Sequence, residues 1–102
     1  MKKFENLIDS EGSVEGKINK IDIIKERNIK IAIIKIAKDQ EIVPHPENYA
    51  VFFFIIQGSA IFTTGNGTYK IIKNKAIYYD PNEIRGIKPL EDSILLGIQI
   101  FD

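Results

Sequence analysis

A single histidine, His45, lies between two prolines in the run Val43-Pro44-His45-Pro46-Glu47, and the 102 residues contain no cysteine. Disulfides, thiolate metal sites and thiol nucleophiles are therefore excluded together. One imidazole also rules out a histidine cluster supplied by one chain. His45, Glu47 two residues on, or a tyrosine could serve as a general base, which needs an ionisable side chain with an orienting partner. Nothing beside His45 in sequence orients or activates its ring, so a structural hydrogen-bonding role stands alongside a chemical one. Tyr78, Tyr79 and Asp80 precede the turn signal Pro81-Asn82, where they can pack, cap the turn or touch a ligand.

These residues are carried by short β-branched or aromatic runs separated by turn signals, the pattern of a sandwich or barrel. The runs are Lys17–Ile24, Ile29–Ala37, Glu41–Val43, Ala50–Gln57, Ala60–Thr64, Thr68–Ile72, Ala76–Tyr79, Ile84–Lys88 and Ile94–Phe101. In the last, Ile94, Leu96, Ile98 and Ile100 share one face. Gly65-Asn66-Gly67 marks the clearest hairpin, since Gly and Asn reach positive φ cheaply. Pro44 and Pro46 each remove a backbone donor and point to a strand edge or entry loop. Phe4, Leu7 and Ile8 suggest a short helical turn in an N-terminal arm over residues 1–16, which could instead be a swapped strand.

Val51-Phe52-Phe53-Phe54-Ile55-Ile56 is apolar on both faces of a strand. One face can fill a barrel, and the other needs cover from the N-terminal arm or another subunit. A homodimer is the expectation, because an open apolar face of this size is a liability in a monomer. Phe52, Phe53 and Phe54 thus belong to core or interface.

Composition narrows the partners. Lys plus Arg and Asp plus Glu balance at 14 each, so no net field favours nucleic acid or an anionic membrane. A hydrophobic fraction of 44% supports a core and argues against disorder. The N-terminal residues do not read as a secretory signal, and the longest apolar run is too short to span a bilayer. A soluble cytoplasmic protein is the resulting expectation.

Asp39 to Gly58 resembles the first cupin motif, G-x5-H-x-H-x3-E-x6-G, without a gap when His45 takes the first histidine and Gly58 the last glycine. The second histidine position then holds Glu47, the glutamate position Val51 and the leading glycine Asp39. From Asn74 the chain resembles the second motif, G-x5-P-x-G-x2-H-x3-N, with Asn74, Asp80, Asn82, Arg85 and Pro89 at its positions. Three glycine positions are held by Asp39, Asn74 and Asn82, residues that tolerate left-handed backbone. The resemblance implies an all-β, single-domain double-stranded β-helix, a cupin or jelly-roll barrel, over residues 17–102.

The resemblance also implies a pocket. Where metal-binding members converge three histidines and a glutamate on a divalent ion, this chain offers His45, Glu47, Val51 and Arg85. Valine donates nothing and a guanidinium repels a cation, so no metal cofactor is expected; His45 and Glu47 would be the ligands if one were bound. Glu47 and Arg85 are expected to approach each other and could form an ion pair. Alternatively Arg85 with His45 binds a small anion such as a carboxylate or sugar acid. The implied ligand-binding set is His45, Glu47, Tyr79 and Arg85. Three functions remain: a metal-free binding module, a cupin enzyme of dioxygenase or isomerase type using His45 and Glu47, and a dimeric scaffold.

Overall fold

The computed structural model describes residues 1–8 and 18–102. Nine strands and no helix occur among them: β1 (Asn19–Lys25), β2 (Ile29–Ile36), β3 (Ile42–Pro46), β4 (Ala50–Gln57), β5 (Ser59–Thr64), β6 (Gly67–Ile72), β7 (Ala76–Tyr79), β8 (Ile84–Pro89) and β9 (Ser93–Ile100). β-branched and aromatic side chains dominate these runs, as a pleated, half-buried surface favours. The strands form two antiparallel sheets, ordered β1-β2-β9-β4-β7 and β3-β8-β5-β6. Their inner faces enclose one core of Ile34, Ile36, Val51, Phe53, Ile55, Ala60, Phe62, Tyr79, Ile87 and Leu95.

Alternation explains both faces of the five-stranded sheet. Val51, Phe53 and Ile55 of β4 point inward, while Phe52, Phe54 and Ile56 point out. The register pairs Phe52 with Ile98 and Phe54 with Leu96, and pairs Ile31 with Ile98 on the other flank. The shared face of Ile94, Leu96, Ile98 and Ile100 is thus the outer one, and Leu95, Gly97 and Gln99 look into the barrel. Phe4, Leu7 and Ile8 lie near Ile23, Ile33, Ile56 and Leu96, at one part of this outer face. Residues 1–8 contain neither helix nor strand and end in a turn at Ile8, and residues 9–17, the rest of the expected arm, lie outside the described residues.

Turn chemistry sets the strand ends. Asn74 and Asn82 adopt φ of 70° and 69°, as the glycine positions of the motifs demand. Asp39 does not adopt positive φ. Its turn closes instead through Gln40, whose N–H donates to the Ala37 carbonyl at 2.9 Å and whose Oε1 accepts from the Ala37 N–H at 2.7 Å. In the hairpin the positive φ falls on Gly67, at 141°, and not on Gly65 or Asn66. The Asn66 N–H donates to Thr64 Oγ1 at 3.0 Å. β3 runs through both prolines to Pro46, which is tolerated because β3 is an edge strand. No helix among the described residues is long and apolar enough to cross a membrane.

Gly58 is required twice over. Its φ is 95°, and a Cβ there would collide with Ser93 Oγ and lie 2.7 Å from the Asp92 carbonyl. Gly58→Ala should therefore cost about 2 kcal/mol or more, from left-handed strain plus overpacking. At Gly65 an alanine methyl would meet nothing within 4 Å, so Gly65→Ala should change stability by no more than about 0.5 kcal/mol. Urea unfolding of the two variants checks the contrast.

Candidate ligand-binding site

The site begins with register. β3 and β8 pair so that His45 lies directly opposite Arg85. The residue after Arg85 is Gly86, where a Cβ would come within 2.8 Å of Pro44 Cγ. A side chain at 86 would push Pro44 away and disturb the pairing that sets His45 against Arg85.

Arg85 is 4% exposed. Its Nε–H donates to the Glu83 carbonyl at 3.2 Å and its Nη2–H to the Asp80 carbonyl at 2.9 Å. Both acceptors belong to the turn Asp80-Pro81-Asn82-Glu83. That turn is held by the Asn82 N–H donating to the Glu47 carbonyl at 2.7 Å and the Glu83 N–H donating to the Asp80 carbonyl at 3.2 Å. The guanidinium carbon lies 5.3 Å from the Tyr49 ring centroid and 5.5 Å from that of Tyr79. Two carbonyls and two ring faces thus stabilise the buried cation. No carboxylate among the described residues pairs with it, and Nη1 is buried without a hydrogen-bond partner.

The ion pair that Glu47 and Arg85 could have formed is not made. Glu47 turns to the mouth, where Oε2 accepts from Tyr49 Oη–H at 3.3 Å and lies 3.8 Å from His45 Nε2. Tyr49 Oη in turn accepts from Gln99 Nε2–H at 3.3 Å. The carboxylate is satisfied by this chain of bonds, and Arg85 leans on backbone. His45 Nδ1–H donates to the Val43 carbonyl at 2.7 Å. A carbonyl only accepts, so Nδ1 carries the proton and Nε2 presents a lone pair in the neutral ring. Burial, followed by the Glu47 charge, holds the Tyr49 phenol above its ordinary range.

Tyr79 is fully buried and donates Oη–H to the Thr63 carbonyl at 2.8 Å. Its ring also meets Phe53 edge to face at 6.3 Å. The hydroxyl is thus occupied, and Tyr79 reaches the site as the ring beside Arg85.

A cavity of about 190 Å³ opens between the sheets. His45 and Arg85 line it; Glu47 and Tyr79 do not. Its polar wall also includes Lys20, Lys30, Tyr49 and Gln99, and the remainder is mainly apolar, with Ile34, Val51, Phe53 and Ile87 prominent. Lys20, Lys30, Tyr49 and Gln99 had no motif to single them out. The available signal was phase: Lys30 shares its strand face with Ala32, Ile34 and Ile36.

The four motif positions do not make a metal site. Val51 is core, Arg85 is a fixed cation, and Glu47 is bonded to Tyr49 outside the cavity wall. Among the described residues no three His, Cys, Asp or Glu side chains come together to hold an ion. A divalent ion would find at most two donors, His45 and Glu47, beside a guanidinium.

The fold recurs in solved structures. A cupin superfamily protein from Desulfitobacterium hafniense superposes with a TM-score of 0.86 at 14% identity, over 100% of this chain and 94% of its own. An RmlC-like cupin protein from Desulfovibrio desulfuricans gives 0.84 at 16% identity, over 98% and 97%. An uncharacterized conserved protein with a double-stranded β-helix domain from Klebsiella pneumoniae gives 0.84 at 14% identity, over 98% and 90%. The chain therefore has the cupin fold, a double-stranded β-helix. No family model and no curated protein matches its sequence.

Burial raises the Tyr79 phenol to about 12. The folded state retains that proton above the ordinary tyrosine value of about 10, so folding stability should fall as pH rises from about 10 toward 12. Ultraviolet titration should show one phenol ionising near 12, and Tyr79→Phe should remove that phase.

Proposed function

We propose that this chain is a binding module that holds a small anion inside the barrel without a resident metal, with Arg85 as the anchoring charge and His45 at the mouth. One observation carries the reading. Arg85 is a buried, permanently charged residue in the wall of a cavity, with no carboxylate partner among the described residues and with Nη1 unbonded. Folded proteins rarely leave such a charge uncompensated, and an acidic ligand in the cavity supplies the missing counter-charge. The cavity and its polar wall favour binding over a pure scaffold. The donor set gives a metal-dependent enzyme less support than binding.

The test is a thermal-shift screen of small carboxylic and sugar acids at constant ionic strength. A true ligand at ten times its Kd adds about 1.4 kcal/mol, several degrees in Tm for a domain of this size. Arg85→Gln should abolish the shift. An acid that raises Tm equally in wild type and variant, or no responsive acid at all, would sink the proposal.

We further propose that the chain is a homodimer, with a second copy covering the outer face of the five-stranded sheet. The centre of this face, Ile31, Phe52, Phe54, Leu96 and Ile98, is uncharged and only partly buried. Such a patch can meet itself across a two-fold axis without like-charge repulsion. Sedimentation should report two chains, and Ile98→Glu should shift the population to one. A wild-type protein that sediments as a monomer at micromolar concentration contradicts this.

A further inference from the structure

The cavity wall carries more positive charge than one arginine. Arg85 stands on β8 of the four-stranded sheet, whereas Lys20 and Lys30 stand on β1 and β2 of the five-stranded sheet. All three line the same cavity. The register opposite β2 places Lys20 beside Ile34 and Asp22 beside Ala32, so both β1 residues share the inward face with Lys30. The rest of the cavity lining is mainly apolar, with Ile34, Val51, Phe53 and Ile87 among it.

The two lysines share one carboxylate. Lys30 Nζ lies 3.8 Å from Asp22 Oδ2, a long contact on a side chain 44% exposed. No other ion pair engages either lysine among the described residues. Lys20 has its pKa lowered, chiefly by burial and then by the Lys30 charge, as expected of two ammonium groups held close together without enough anion. Asp22 compensates one of these charges. Among the described residues one lysine charge and the Arg85 charge then remain, on opposite sheets, lining a common cavity.

We infer that the occupant of this cavity is a small dianion, a short-chain dicarboxylate with one carboxylate at Arg85 and the other at the Lys20–Lys30 pair. This rests on the anion-binding reading and extends it to the second wall. The volume of about 190 Å³ is of the order of the roughly 150 Å³ cavity that holds one benzene, a scale that suits a short acid. The apolar part of the lining suits a methylene chain, which has no hydrogen bonds to lose there.

Isothermal titration of the full chain at fixed ionic strength tests the inference, using succinate, glutarate and adipate beside butyrate, pentanoate and hexanoate. The best dicarboxylate should bind about ten- to a hundredfold more tightly than the monocarboxylate of equal length, the range that one charge-assisted hydrogen bond supports. In the double variant Lys20→Gln, Lys30→Gln that preference should be lost, the dicarboxylate binding no more tightly than the monocarboxylate of equal length. Both lysines lie at the rim of the core, and the unfolding midpoint of the double variant checks that its fold is retained; Lys30→Gln alone, which should reduce the preference, serves if it is not. Equal affinity for both acid classes in wild type, or a preference that survives in the variants, overturns the dianion while leaving an Arg85 anion site intact. Failure of every acid to bind overturns both.

Discussion

A guanidinium cannot shed its charge in a protein, so a fold that buries Arg85 has to surround it with compensating groups. Here the compensation comes from two backbone carbonyls and the faces of Tyr49 and Tyr79. Each depends on a separate part of the chain. The carbonyls belong to a turn that exists because Asn82 accepts a left-handed backbone and ties itself to Glu47. Tyr79 is held by its hydroxyl on Thr63, and Tyr49 by Glu47, Gln99 and the Phe101 ring at 4.9 Å. The remaining deficit is Nη1, on a side chain that all these contacts hold in the cavity wall.

The two sheets divide the work. The four-stranded sheet fixes Arg85 and His45 in register, with Gly86 making room for Pro44 at the edge. The five-stranded sheet supplies the apolar floor and the two lysines, and its other face is apolar as well. A sheet apolar on both sides contributes burial to the barrel core and leaves a second surface that water covers poorly. Cavity and outer face are therefore two consequences of the same strands.

Much of the architecture is legible in the residues. β4 and β7 have the bounds their composition indicates, and Asn74 and Asn82 adopt the conformation their motif positions imply. Asp39 departs from its motif position because a side-chain bond from Gln40 can close a turn without positive φ. The Glu47–Arg85 pair fails for a different reason. Motif spacing places Cα atoms near one another, but each side chain finds a cheaper partner: Tyr49 for the carboxylate, carbonyls for the guanidinium. Lys20 and Lys30 are hard to recognise because β2 is apolar on both faces, so its alternation does not reveal which side is inward. Phase is readable; direction requires the sheets to be assembled.

The Arg85 guanidinium is the proposed anion seat. Its guanidinium N–H signals in ¹⁵N-labelled protein report on the side chain directly, before and after addition of succinate. The Arg85 guanidinium protons should shift downfield and their exchange with water should slow when the acid is added. Arg85 resonances that stay unchanged at saturating acid, while the protein remains folded, would contradict it.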